Sequence, residues 1–246
     1  MSNKNAKIRL FVENTLKPGA IILCEQNQGH YLVNVMRIKM GDMVSIFNGR
    51  EGEWIAEVIK IGKGKASITI REKIAEQINE PDLWYLFAPV KKARIDYMIE
   101  KATELGVSLI WPVITKRTNL DRLKMDKLCT NAVEAAEQCG RMTVPEIKNI
   151  ILLEDLLAKW PEDRKILFCD EAGDAKSFKE IAKDYSQNNQ KWAVLIGPEG
   201  GFTEEERHKI RGHKNTIPLT LGSRILRADT AAVAVLSLWQ NFLGDG

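Results

Sequence analysis

Two stretches of the chain carry residues whose types and spacing could do chemistry. The first is Lys191 to Glu206, KWAVLIGPEGGFTEEE. Its adjacent glycines, Gly200 and Gly201, let backbone N–H groups approach a ligand, Pro198 stiffens the entry, and Glu199 sets a carboxylate among them. The second is Leu221 to Ala232, LGSRILRADTAA, in which Gly222 ends an apolar run, Arg224 and Arg227 supply cations, and Asp229 precedes Thr230 at a helix start. Bare N–H groups beside guanidiniums and carboxylates can hold a small ligand, stabilise developing charge and move protons. Each part also has an ordinary reading: a βα turn, a helix N-cap at Asp229, solvated arginines.

The surrounding elements decide whether the two stretches meet. Trp192 to Ile196 has the apolar run of a buried strand, and the T-x-x-E spacing of Thr203 and Glu206 is a capping box that opens a helix. IPLTLG, residues 217 to 222, is the final strand, and a helix follows from Thr230 to Leu243. Two strand ends, each followed by a glycine-bearing loop and a helix, fall on one edge of a parallel sheet, so one pocket can be built from both. The rest of the C-terminal two thirds alternates in the same way. Strands are expected at 83–90, 107–114 and 165–170, with helices at about 91–105, 123–139, 154–160 and 177–185. Five or more βα units imply an α/β fold with a parallel sheet covered on both faces. The phosphate-loop spacings G-x-x-x-x-G-K-[ST] and G-x-G-x-x-G are missing, and Glu199 puts negative charge in the loop, which argues against a nucleotide-phosphate cradle.

The N-terminal part reads differently. Short strands at 8–12, 20–24, 43–47, 53–61 and 65–71, broken by Asn48-Gly49 and Gly62-Lys63-Gly64, with one helix from His30 to Ile38, suggest a small β-barrel over residues 1–73. A polar linker is expected at 74–82 and the larger domain at 83–246. Residues 1–73 hold twelve basic against seven acidic side chains, about +5, while the whole chain carries only +3. A basic module of this kind suits a polyanion. Cys24, Cys129, Cys139 and Cys169 form no C-x-x-C pair, and His30, His208 and His213 complete no ligand spacing, so no metal site is expected. Neither a signal peptide nor an apolar run of the roughly 18 residues that a membrane span needs is present, so a cytoplasmic protein is expected.

IGPEGGFT followed by LGSRILRADTA resembles the RsmE family of ribosomal RNA methyltransferases, within the SPOUT class. RLFV, HYLVNVMR (30 to 37), KATELGV (101 to 107), ITKRTN (114 to 119) and EAAEQCGR (134 to 141) agree, so the resemblance covers nearly the whole chain. It implies methylation of N3 of a specific uridine in 16S (small-subunit) ribosomal RNA, with S-adenosylmethionine as the donor. It further implies a SPOUT-type parallel-sheet domain with a C-terminal trefoil knot, a PUA-like N-terminal barrel and a homodimer, for which the apolar end of the last helix, Trp239 and Phe242, offers a surface. Family members usually carry Glu where this chain has Asp229, and serine where it has Cys139.

By the same resemblance, the backbone and small side chains of Leu195, Ile196, Gly197, Gly201, Leu219, Leu221, Gly222, Ile225, Leu226 and Thr230 cradle the donor. Uridine N3 carries a proton at neutral pH, so transfer needs a base or stabilisation of the imide anion. Arg227 is the first candidate for charge stabilisation, with Asp229 and Glu199 as proton acceptors. Arg9, Arg37, Lys91, Lys92, Arg117, Arg141 and Arg224 fall in the family-like segments and suit phosphate contacts, and His30 could stack on a base. A rival reading keeps the barrel as an RNA-binding module and makes the α/β domain a donor-sensing, non-catalytic scaffold.

Overall fold

Successive side chains of a strand point to opposite faces, so a strand buried on both sides is apolar throughout and divides its residues between two cores. This division organises the larger part of the molecule. The computed structural model describes residues 6–90, 92–119, 123–170, 174–185 and 190–244, without the side chains of Lys92 and Ala93. The chain separates into two compact units, one of residues 1–79 with 136–143, the other of 80–135 with 144–246.

The first unit holds a five-stranded sheet of β1 (Arg9–Phe11), β2 (Ile21–Cys24), β3 (Met43–Phe47), β4 (Glu53–Gly62) and β5 (Lys65–Ala75), in the order β1-β3-β4-β5-β2. β1 runs parallel to β3, and the other pairs are antiparallel. The sheet covers a core of Leu10, Leu32, Ile46, Ile68 and Ile70, among others. β5 runs on through Lys73–Ala75, residues read from the sequence as barrel end and linker start, because Ala75 still pairs with Glu53 of β4. The helix expected at 30–38 starts earlier. α1 (Gln26–His30) leads into a π-helical turn at Tyr31–Val35, and Arg37, at φ +53°, stops it. Gly29 makes this possible: a Cβ there would lie 2.3 Å from the Gly64 carbonyl oxygen and 2.8 Å from that of Cys24.

The second unit is built on a parallel sheet. Its strands are β6 (Leu83–Phe87), β7 (Leu109–Ile114), β8 (Glu146–Ile147), β9 (Ile151–Leu152), β10 (Arg164–Cys169), β11 (Lys176–Ser177), β12 (Lys191–Ile196) and β13 (Thr216–Thr220). The order is β11-β13-β10-β12-β6-β7-β8, with β9 also paired to β7. The helices are α2 (Lys92–Glu104), α3 (Met125–Cys139, of which residues 136–139 belong to the first unit), α4 (Leu153–Ala158), α5 (Phe178–Tyr185), α6 (Glu204–Gly212) and α7 (Ala228–Leu243). One face of the sheet packs Tyr85, Phe87, Leu167, Val194 and Ile196 against α2, α5 and α7. The other packs Leu86, Ile166, Phe168, Ala193 and Leu195 with residues of α4 and α6. Trp239 is only 3% exposed and belongs to the first of these cores, so it is no contact surface; Phe242 is half exposed beside Phe178. Among the described residues, no helix is long and apolar enough to cross a membrane, and no cluster of potential metal ligands occurs.

Candidate active site at the strand-end cleft

Because the sheet is parallel, the carboxyl ends of β7, β6, β12, β10 and β13 lie along one edge, where open α/β sheets bind ligands. A cleft of about 640 Å³ occupies that edge. Gly197 to Phe202 form one wall, and Ile225 to Ala228 with Ala231 form another. β10 lies between β12 and β13, so its last residue, Cys169, and the following Asp170 stand between the two loops and line the cleft. A smaller recess of about 90 Å³ shares Cys169, Asp170, Ile225, Leu226 and Ala231, and adds Leu219 to Arg224.

The glycine-rich loop is held at several points. Thr203 caps α6 in a complete capping box with Glu206. Glu206, 6% exposed, also accepts a hydrogen bond from the Lys116 N–H at 2.6 Å, which fastens the loop after β7 to the start of α6. From that same loop, the Arg117 guanidinium donates to the Gly200 carbonyl at 2.9 Å. Gly197 sits so close to the Phe202 ring that a Cβ would come within 2.6 Å of it. Gly201 has φ +66° with open space on its Cβ side, so any other residue would be strained there by its backbone alone. A Gly201→Val change therefore tests backbone strain as much as ligand approach.

Charge at the cleft comes chiefly from arginines. Arg94, Arg117, Arg207 and Arg227 line it with Glu199, Glu204 and Asp170. Arg94, in the first turn of α2, pairs with Glu199, and its Nε lies 3.9 Å from Asp229 Oδ2. Asp229 is not the N-cap of α7; Arg227 occupies that position, and Asp229 Oδ1 accepts from the Thr230 N–H at 2.8 Å. Asp170 receives Arg207 at 2.8 Å and Arg211 at 2.5 Å, and Arg211 also grips Asp174. That hydrogen bond holds the Asp174 carboxyl below its usual range. Burial pushes the Cys169 thiol up to about 12. Burial, with smaller contributions from Cys169 and Asp229, also raises the Tyr85 phenol well above its ordinary value, so neither group is a base at neutral pH. Arg227 and Arg224 are exposed and have no ion pair among the described residues.

The expected site residues separate into groups. Ile196, Gly197, Glu199, Gly201, Ile225, Leu226, Arg117 and Arg227 line the cleft, while Leu219, Leu221, Gly222 and Arg224 line the recess. Leu195 turns its side chain into the core on the opposite face of the sheet and leaves only its backbone for a ligand. Asp229 and Thr230 lie in the first turn of α7, outside both linings. In the other unit, Arg37 and His30 are exposed. Arg9 is committed to Glu53 at 2.9 Å, to the Ala136 carbonyl and to the Phe47 ring, so the phosphate role expected for it gives way to a structural one. Burial raises the Glu53 carboxyl, but hydrogen bonds from Arg9 and Ser45 more than offset this and leave it below its usual range. Arg141 is 9% exposed and bonded to Thr143, with the same consequence. Lys91 and the side chain of Lys92 lie outside the described residues. The sequence reading missed Arg94, Asp170 and Arg207. A polar residue ending an apolar strand, as Asp170 ends KILFCD, is the signal that could have found the second.

The parallel sheet with a glycine-walled cleft at its carboxyl edge is matched by the RNA methyltransferase domain model over residues 78–240, and the RNA methyltransferase PUA domain model matches residues 23–71. The chain is 32% identical to ribosomal RNA small subunit methyltransferase E of Rickettsia conorii, over 93% of both chains. It is 31% identical to the protein of the same name from Buchnera aphidicola of Acyrthosiphon pisum, over 98% of this chain and 96% of that one. A crystal structure of ribosomal RNA small subunit methyltransferase E from Neisseria gonorrhoeae, bound to S-adenosyl methionine, superposes with a TM-score of 0.88 at 27% identity, covering 97% of this chain and 98% of that one. A putative methyltransferase from Legionella pneumophila, in complex with the bound cofactor SAM, gives 0.87 at 30% identity, covering 97% and 99%. The chain belongs to the ribosomal RNA small subunit methyltransferase E family.

Proposed function

We propose that this protein transfers the methyl group of S-adenosylmethionine to N3 of a uridine in 16S ribosomal RNA of the small subunit. The observation that carries the reading is the pairing, in one cleft, of a glycine wall open to a ligand with an arginine, Arg227, that has no ion pair among the described residues. The residues suit the donor. Gly201 leaves open space over its backbone, and Ile196, Phe168 and Leu226 supply apolar surface. When bound, the donor supplies an electrophilic methyl group on a sulfonium.

The chain's own residues do the rest. The N3–H of uridine must be lost, and the imide charge that results spreads to O2 and O4. The Arg227 guanidinium, without an ion pair among the described residues, can stabilise that charge at the cleft. Glu199 lines the cleft and Asp229 stands behind it, so Glu199 is the better placed proton acceptor. Glu199→Gln and Asp229→Asn, measured separately, distinguish the two. Arg224, Arg37 and His30 are exposed and suit phosphate and base contacts. We place the reaction in the cytoplasm, on a homodimer in which the exposed Tyr97 and Phe242 take part; light scattering tests the dimer. Mass spectrometry of ribosomal RNA nucleosides from cells with and without the protein tests the activity. Loss of 3-methyluridine on deletion is expected, and an unchanged nucleoside profile overturns the reading.

A further inference from the structure

A cation in the first turn of a helix faces the positive end of the helix dipole, an arrangement that costs a few tenths of a kcal/mol or more unless an anion offsets it. α2 opens with Lys92 and has no acidic residue in its first turn, yet Arg94 stands there and points into the strand-end cleft. Two carboxylates meet it. Glu199 comes from the glycine-rich loop after β12, and Asp229 from the first turn of α7, after the second loop. Thus one guanidinium on a third element joins the glycine wall to the helix start behind the second wall. Its side chain is 29% exposed and those of Glu199 and Asp229 are 38% and 21% exposed, so the ion pairs are neither fully screened nor fully buried.

We propose that Arg94 is a positioning residue that ties the glycine-rich loop to the start of α7 and holds the two walls of the donor cleft at the spacing the donor needs. Nothing in the geometry requires Arg94 to touch the reacting atoms. Its two ion pairs go to the glycine wall and to the first turn of α7 behind the second wall, which a planar, forked guanidinium can serve at once and a lysine ammonium serves poorly. The 3.9 Å separation from Asp229 is at the outer limit of an ion pair, and Asp229 already gives its other oxygen to the Thr230 N–H. The Glu199 contact is therefore the stronger half, and Asp229 the half that a longer side chain would improve. Preorganised walls lower the ordering cost of binding, so the loss expected from the tie itself is one of donor affinity.

This inference rests on the proposed methyl transfer, and the test separates the two. In the ligand-free protein, hydrogen exchange of residues 197–203 and 224–230 should rise several-fold in both segments in Arg94→Met, with the rest of the second unit unchanged. This readout does not depend on any donor. By calorimetry, Arg94→Met should weaken S-adenosylmethionine binding about tenfold. Arg94→Lys should recover only part of that loss. In combination with Glu199→Gln, Arg94→Met should add less than the two separate losses predict. Unchanged exchange in either segment, full recovery by lysine, or strictly additive losses would overturn the tie. Wild-type protein that binds no S-adenosylmethionine would instead overturn the proposed function, and the exchange result would still decide whether Arg94 joins the two walls.

Discussion

The two loops of the cleft differ in how they are held. Gly197 to Thr203 is tied from every side: Glu206 closes the capping box and takes the Lys116 N–H, Arg117 takes the Gly200 carbonyl, and Arg94 takes Glu199. Leu221 to Arg227 has little of this. Gly222 donates to its neighbour Thr220 at 3.3 Å, Ile225 is 81% exposed, and Arg224 and Arg227 have no ion pair among the described residues. The first loop resembles a mould and the second a set of loose tools. Where side-chain partners are missing, as at Arg227, a residue awaits a ligand; Glu199, paired with Arg94 yet on the cleft lining, both shapes the site and faces the ligand.

Changes in the loose loop should therefore harm chemistry, and loss of the Glu206 anchor of the tied loop should harm the fold. The largest effect is expected for Arg227→Ala, a fall in kcat of about 100-fold or more, with donor affinity altered less than threefold by calorimetry. A turnover near that of the wild type would break the contrast at its most important point. Next comes Glu206→Ala, which removes the acceptor for two backbone N–H groups and should cost about 2 kcal/mol in urea unfolding. A cost below about 0.5 kcal/mol would show that the loop is held by other means. Arg224→Ala should weaken RNA binding a few-fold and lower the slope of log affinity against log salt by about 1. The smallest effect is expected for Ile225→Ser, whose stability should stay within about 0.5 kcal/mol of the wild type. A larger loss would mean that the second loop is packed after all.

Most of the second unit was legible because its strands and helices follow strong periodicities. Runs such as WAVLI and KILFC, short and bounded by turn signals, read as buried strands, and the Thr203–Glu206 capping box was readable from two residues. What escaped was pairwise. Strand order does not follow from chain order, so the insertion of β10 between β12 and β13, which brings Asp170 to the cleft, was invisible. The same applies to Arg94, which meets Glu199 across 105 positions of the chain. The arginines of the family-like segments showed the opposite limit. Arg9 and Arg224 look alike as letters, yet one is folded into Glu53 and the Phe47 ring, and the other stands in solvent. Short elements were also lost: the two-residue strands β8, β9 and β11 carry too few residues for any period to show.

Cys169 stands at the end of β10, on the lining of a cleft assigned to an alkylating agent. A thiolate there would be a competing acceptor for the methyl group. Burial pushes its thiol well up from the ordinary range, so the protonated form prevails at neutral pH. The sulfur thus contributes apolar surface without nucleophilicity, and the protein is shielded from modifying itself in place of its substrate.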